Sequence, residues 1–451
     1  MKIKKSLHFL LIKVNNFFER NFSPVIFFLV FLTYSPFASI ISWGGDYGGY
    51  ILQSEAMFGN SSQSFIEKQN FLKQLSINPR YAIYAPIGLP LLIGITSIFT
   101  NYQIYLIKLL IPFSVLISAL LLRNSVLKNF YFFILMWAIH PSITDQYTDV
   151  LGEIPAILFF ILGIGSKNYF YKNLSFIMCC LIKPTFLIFI TIEIIYSSKQ
   201  KIKDILFFSL TLLVSQLISK TLFSMQIFGD YSQINTSGAK EGLITRFIGN
   251  FFDLTFDRAF FFLEELGLVI VGFSNFINPL IGILYILFLI YLRNKYSHMI
   301  IFFLLFHFLV VEADYFARYL IPILFITLLA INEYFLNKKL KTHLFIYLFP
   351  IFFLFFLLQN TYSILNSDLQ RGPHELSSIE LFEFTESFDD NSIFSFHSPR
   401  PFRLFTRKDA YILDGNLLEN TIIICYKNQS CKTEDGYKLV FQNKDYMVFD
   451  K

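Results

Sequence analysis

Glu153 and Lys183 each stand among residues that are almost wholly apolar. Glu153 begins an apolar run with Pro155 two residues on, and Lys183-Pro184-Thr185 interrupts another. A charge in a lipid-like interior costs about 2.5–3.5 kcal/mol on insertion scales, so each of these residues is expected to have a function or a partner. A basic residue at that depth suits a lipid phosphate. Arg318, followed by Tyr319 and Pro322, would hold one through two N–H groups. The plain alternative for Lys183 and Arg318 is snorkelling of the charged head to an interface.

Acids gather upstream. Asp145, Asp149 and Glu153 fall at i, i+4 and i+8, and on a helix they would share one face. Three acids there would bind a metal, orient an acceptor, or simply be solvated. Nearer the N-terminus comes Trp43-Gly44-Gly45-Asp46-Tyr47-Gly48-Gly49-Tyr50, an acid bracketed by glycines and followed by tyrosines. Glycines let a backbone approach a ligand closely. For an isolated Asp, an ordinary solvated loop acid is the favoured reading. Ile51 to Phe58 then reads as a short helix. Arg80 and Tyr84 lie in the proline-rich segment Asn78 to Leu92, which reads as a rigid re-entry into an apolar phase or as a turn with an interface anchor. His307, among Phe and Leu, reads as packed core. No phosphate-binding glycine loop, metal motif or nucleophile elbow is present in the sequence.

The elements that must position these residues follow from composition. The 451 residues are 55% hydrophobic and 15% charged, and 58 are Phe, more apolar surface than a soluble domain can cover. Apolar runs recur near the ~17–25 residues that cross a bilayer. Basic clusters (the N-terminal segment, Arg123/Lys128, Lys167/Lys172, Lys199–Lys203, Arg293/Lys295, Lys338–Lys341) alternate with acidic segments, which places the N-terminus in the cytoplasm and the acids outside. The net charge of +5 belongs to these loops and is no nucleic-acid patch. The first run, from Pro24, is a full span without a small-residue cleavage site.

The expected spans are Pro24–Ser42, Tyr105–Leu122, Asn129–His140, Leu151–Gly165, Leu174–Tyr196, Ile205–Phe223, Leu266–Leu292, Met299–Val311, Tyr319–Phe335 and Leu344–Leu358. Leu174–Tyr196 has basic loops at both ends, so it reads as two half-helices with Lys183-Pro184 at the outer tip. Pro86–Thr100 is short. Either it is re-entrant or another boundary shifts.

The expected fold is an α-helical polytopic membrane protein of about 10–12 transmembrane helices with a small extracytoplasmic α/β C-terminal domain. Residues 1–359 form the membrane domain, with its first outer loop at 43–85. Residues 360–451 form the tail, with strands expected at Ser392–Phe396, Thr421–Tyr426, Tyr437–Phe441 and Tyr446–Phe449. Asn443-Lys444-Asp445 reads as the turn between the last two. Cys425 and Cys431 flank another turn sequence, Lys427-Asn428-Gln429-Ser430, and would be a disulfide in an oxidising compartment or a reduced pair otherwise.

In order and sidedness these motifs resemble the GT-C superfamily of membrane glycosyltransferases, among them protein O-mannosyltransferases, lipid A aminoarabinose transferases and bacterial lipid-linked sugar transferases. The matching positions are Asp46 with Tyr50, the Tyr84 to Leu92 re-entry, Glu153 before a span, Lys183-Pro184, and Arg318 to Pro322. The paired acids usual at the first position reduce here to Asp46 beside Tyr47. The resemblance implies a bacterial inner-membrane enzyme with a polyprenyl-phosphate sugar as donor and a glycan, lipid or protein as acceptor. Its action would be inverting, with Asp46 as general base. Lys183 and Arg318, helped by Arg80 and Tyr84, would hold the lipid phosphate. Glu153, Asp149 and Asp145, with Tyr50, would orient the acceptor or a divalent cation, and no cofactor is required by the sequence. Two other classes are polytopic too: an O-antigen-type polysaccharide polymerase or ligase, which would carry paired arginines on a long late loop, and a lipid flippase or transporter, which would show two matching halves. The 230–265 loop has only Arg246 and Arg258, and no internal symmetry is evident.

Overall fold

The computed structural model describes residues 17, 19–38, 47–58, 86–100, 102–127, 131–148, 150–197, 201–223, 255–310, 316–338, 352, 354–362, 375–389, 392–396, 402, 406, 408–412, 421–427 and 436–451. These residues are mostly helical, with a five-stranded sheet near the C-terminus. The helices are α1 (Phe22–Tyr34, prolonged by a 3-10 turn Ser35–Phe37), α2 (Tyr47–Phe58), α3 (Gly88–Thr100), α4 (Ile104–Lys108), α5 (Leu110–Leu121), α6 (Tyr131–Ala138) and α7 (Pro141–Thr144). Next come α8 (Glu153–Gly165), α9 (Tyr169–Ile182), α10 (Leu187–Ser197), α11 (Lys201–Phe223), α12 (Phe256–Val271) and α13 (Asn278–Leu292). Then follow α14 (Lys295–Val310), α15 (Phe316–Leu320), α16 (Pro322–Lys338), α17 (354–362) and α18 (Glu375–Glu386).

Local sequence sets the boundaries. Asn168 caps α9 by accepting from the Phe170 and Tyr171 amides, as an N-cap amide should. The break expected at Lys183-Pro184 is there. A residue before proline is pushed out of the helical region, and Lys183 is extended (φ −140, ψ 98) between α9 and the turn that opens α10. Leu266–Leu292, expected as one span, is instead two helices. Gly272 takes a left-handed φ of 89 and ends α12, as a C-terminal glycine does. α13 then packs back along α12, and a Cβ on Gly267 would collide with the Asn278 backbone.

Two sets of contacts define two ends of the helical body. At one end, Arg123 meets Glu19, Gly165 packs on Ser125, and the Tyr169 hydroxyl donates to Asp204 at 2.9 Å. Lys295 bridges to Glu193 at 2.7 Å, and Tyr291 bonds Tyr334 there too. At the other end, Lys108 reaches Phe37, Tyr147 packs on Tyr34 and Phe37, and Glu153 meets Lys183. His140 bonds Ile270, and Asn360 bonds Ile139 and Thr144, at this same end. Helices α1, α5, α8, α9, α10, α13, α14 and α16 each run from one end toward the other. α3 does not: Gly88 packs against Ile182, while Tyr102 beyond its far terminus bonds Ser54 of α2 and leads through α4 to Lys108. Gly88, which opens α3, and Lys108, which follows it, thus both lie toward the Glu153 end of the helical body.

The core is aromatic and aliphatic throughout, with Phe160 against Phe176, Phe186, Phe189 and Phe325. The outside is apolar too. Ile98 is 77% and Phe99 86% exposed, and α11 and α13 present Leu206, Leu210, Leu213, Leu280, Leu284 and Leu287 outward. One continuous helical stretch among the described residues, Leu106–Val126, is long and apolar enough to cross a membrane, and eight further apolar helices have 10–17 residues.

In the tail, strands β1 (Ile393–Phe396), β2 (Asp409–Ile412), β3 (Thr421–Tyr426), β4 (Lys438–Gln442) and β5 (Tyr446–Asp450) form a sheet in the order β2-β1-β3-β5-β4. β1 pairs in parallel with β2 and β3, and β5 pairs antiparallel with β3 and β4. The four expected strands are present within a residue or so, and β2 was not expected. Asn443 makes the last turn by accepting from the Asp445 and Tyr446 amides, a side-chain-mediated turn. Cys425 is disulfide-bonded and Cys179 and Cys180 are free thiols; the remaining cysteine, Cys431, lies outside the described residues.

Candidate active site

The sequence around Glu153 decides where α8 begins. Pro155 lacks an N–H, so it is tolerated only in the first turn of a helix. α8 accordingly starts at Glu153 with Gly152 as N-cap. This overturns the shared helical face for Asp145, Asp149 and Glu153. Asp145 opens a separate 3-10 turn, Asp145–Thr148, and Val150 and Leu151 are not helical.

Glu153 is fully buried, and Lys183 keeps 9% of its surface. The Lys183 ammonium lies 2.5 Å from Glu153 Oε1. Two glycines permit this. A Cβ on Gly152 would stand 3.2 Å from the Ile182 carbonyl oxygen, and one on Gly88 would run into the Leu181–Ile182 peptide, so the C-terminal end of α9 nests against both. The dipoles agree with the charges: Glu153 sits at the positive N-terminus of α8 and Lys183 at the negative C-terminus of α9. Lys183 is therefore held at depth by a partner, and it does not snorkel to water.

Tyr319 of α15 completes the group. Its ring centroid is 4.1 Å from the Lys183 Nζ, a cation–π distance. Arg318 is its neighbour on α15, and the Arg318 side chain lies outside the described residues. α15 is tied down by the Ala317 amide, which donates to Glu265 at 3.2 Å. His307 is fully buried as expected, with Nδ1 donating to its own helix at Phe303 O. Its ring lies 6.1 Å from Tyr319, so the packed histidine borders the group as well.

The structure thus brings Glu153, Lys183 and the helix of Arg318 together. Tyr50 is half-buried on α2 and packs against the main core. Asp145 is half-buried in its turn, beside the buried Tyr147. Asp46, Arg80, Tyr84 and Asp149 lie outside the described residues. Among the described residues no three His, Cys, Asp or Glu side chains cluster as a metal site would require.

Sequence reasoning passed over Lys108. It lies 3% exposed inside the long apolar segment, with Nζ 3.1 Å from Phe37 O. The signal was available, since Lys108 breaks the expected span Tyr105–Leu122 as Lys183 breaks its own.

Chemically, the group is an ammonium fixed in direction by a carboxylate and an aromatic face, in surroundings with little water. Such a fixed cation stabilises a developing anion strongly because nothing has to reorganise. Comparison with protein-family models, with curated proteins and with solved structures returns no match to this chain.

Proposed function

We propose that this chain is a polytopic membrane glycosyltransferase of the GT-C type. It moves a sugar from a polyprenyl-phosphate donor to an acceptor at the extracytoplasmic face. The observation that carries this is the buried Glu153–Lys183 pair at the end of the helical body opposite Arg123, with Tyr319 against the ammonium. A phosphate leaving group needs a fixed cation there, and the motif order from Asp46 to Pro322 supplies the other parts.

Membrane placement rests on the apolar exterior and on charge. Patches of exposed Leu, Ile and Phe on this scale mark contact with lipid or partner. The Arg123 end also carries Lys203, Arg293 and Lys295, which suits a cytoplasmic side. Among the described residues α1, α5, α8, α9, α10, α13, α14 and α16 run between the two ends, with the N-terminus taken as cytoplasmic and the tail as extracytoplasmic. A 13-residue helix rises only ~20 Å, so the shorter helices would meet a ~30 Å hydrocarbon core with flanking apolar residues or local thinning.

In the reaction, Asp46 takes the proton of the acceptor hydroxyl or amine as its oxygen or nitrogen attacks the anomeric carbon. The bond from that carbon to the phosphate oxygen breaks, and the polyprenyl phosphate leaves with the electron pair, so the sugar inverts. Lys183, directed by Glu153, and Arg318 meet the charge that grows on the phosphate. Glu153 accepts a hydrogen bond from one of the three ammonium N–H groups and so sets the direction of the other two. A divalent cation, if one serves, would draw on Asp46, Asp145 or Asp149.

The test is sugar transfer in proteoliposomes from a series of labelled polyprenyl-phosphate sugars, with the product's anomeric configuration determined. The proposal expects an inverted product from at least one donor. A retained configuration, or transfer from nucleotide sugars alone, would overturn it. A second role for the pair, as a pin that only joins α8 to α9, is favoured by its short distance; double substitution separates the two roles.

A further inference from the structure

We propose that Arg258 and Glu265 of α12 are positioning residues that set α15, and with it Tyr319, against the Lys183 ammonium; this rests on the functional reading above. α15 is the short helix Phe316–Leu320. A helix of that length is not stable by itself, because too few bonds follow the costly first turn. Its place must be fixed from outside. Lys183 stands on a different element, the break between α9 and α10. The 4.1 Å approach of the Tyr319 ring to Lys183 Nζ therefore depends on where α15 is held.

One face of α12 supplies the hold. Arg258, Phe262 and Glu265 fall at i, i+4 and i+7, which share a side of a helix. Arg258 donates to Phe308 O, in the last turn of α14, through Nε at 3.1 Å and Nη2 at 2.6 Å. Phe262 packs edge-on to the Phe308 ring at 5.2 Å. Glu265 Oε2 accepts from the Ala317 amide at 3.2 Å, in the first turn of α15. The charges suit the two ends. The final carbonyls of one helix and the first amides of the next have no partner within their own helix. A cation is favoured at the carbonyl end by the dipole of α14, and a carboxylate accepts strongly from an amide. The same face of α12 thus grips both sides of the α14–α15 junction. α12 is itself anchored. Gly267 and Gly282 bring its backbone against α13, and its Val269 and Ile270 carbonyls accept from Ser142 Oγ and His140 Nε2. A displacement of 1 Å at a reacting group costs on the order of 10²-fold in rate.

The experiment compares wild type, Glu265→Gln, Glu265→Leu and Arg258→Met, purified in full length, each also in a Tyr319→Leu background. Two quantities are read: hydrogen exchange of the amides at 317–320, which needs no substrate, and kcat for a polyprenyl-phosphate sugar. Glu265→Leu should exchange faster at 317–320 and lose kcat on the order of 10²-fold. Glu265→Gln keeps an acceptor oxygen and should retain slow exchange and most of kcat. Because Glu265 acts through α15, its Leu variant should cost less kcat where Tyr319 is already Leu. An equal cost in both backgrounds would overturn the positioning of Tyr319. Unchanged exchange at 317–320 in folded Glu265→Leu would overturn the grip on α15. If that variant does not fold, Arg258→Met decides by the same readings. If wild type transfers no sugar from any such donor, the functional reading and the positioning role fall together, while the exchange comparison still decides whether α12 holds α15.

Discussion

Replacing Lys183 by Met breaks the Glu153–Lys183 pair from one side. At 2.5 Å and an effective dielectric of ~20, the attraction is about 6–7 kcal/mol. Desolvation of the two ions offsets most of it, at several kcal/mol per ion. Removing the cation alone leaves the fully buried Glu153 with that desolvation and less compensation, a loss of about 3–5 kcal/mol. Removing both charges, as Glu153→Gln with Lys183→Met, should restore stability to within about 1–2 kcal/mol of wild type, because neutral groups of similar size replace buried pairs at little cost. Denaturant titration in detergent measures both values, and the non-additivity of the two substitutions isolates the pair. Activity should behave differently. If the proposed phosphate site is right, loss of its fixed charge costs ~10²–10³ in rate, and the double variant should not recover it. A double variant that regains both stability and transfer would refute the chemical role and leave the pair as a pin between α8 and α9.

Three other outcomes follow from the packing. Gly152→Ala sets a Cβ 3.2 Å from the Ile182 carbonyl oxygen, so α9 should move away from Glu153 at a cost of about 1–3 kcal/mol, read as a lower unfolding midpoint and a slower transfer rate; a neutral result on both would show that α9 has room. Asn360→Ala deletes the amide that donates to Ile139 O at 3.1 Å and accepts from Thr144 Oγ1 at 2.8 Å, and leaving those buried groups without it should cost about 1–3 kcal/mol by the same titration; no measurable loss contradicts the link between α17 and the Pro141–Thr144 turn. For Cys425, disulfide-bonded in the fold, alkylation of intact cells followed by reduction and mass analysis should find it protected before reduction, whereas an alkylated Cys425 in cells would place the tail in a reducing compartment and contradict its extracytoplasmic side.

Particular residues show what could be read from sequence. Pro184 and Pro155 carry one-way rules: the first forced Lys183 out of α9, and the second tied the start of α8 to Glu153. The Asn443 turn and the strand Thr421–Tyr426 were visible because turn chemistry and a β-branched run act locally. Other features depend on contacts far apart in sequence. Leu266–Leu292 is apolar enough to read as one span, and only the left-handed φ at Gly272 and the close packing of Gly267 on Asn278 show the hairpin. The face drawn through Asp145, Asp149 and Glu153 assumed a continuous helix, which Pro155 does not allow to extend far upstream. β2 has an Asp and an Ala in four residues and joins the sheet through its pairing with β1. Lys108 interrupts its apolar run visibly, but its acceptor Phe37 O is 71 residues away and could not be read from the sequence.

The central claim is that sugar leaves a polyprenyl phosphate at a site headed by Asp46 and charged by Lys183. The direct measurement is the rate of transfer from a polyprenyl-phosphate sugar by purified wild type and Asp46→Asn, each confirmed folded by its unfolding midpoint. The account predicts transfer by wild type and a loss on the order of 10²–10⁴-fold in the Asn variant, as for removal of a general base. Undiminished transfer by Asp46→Asn would contradict it.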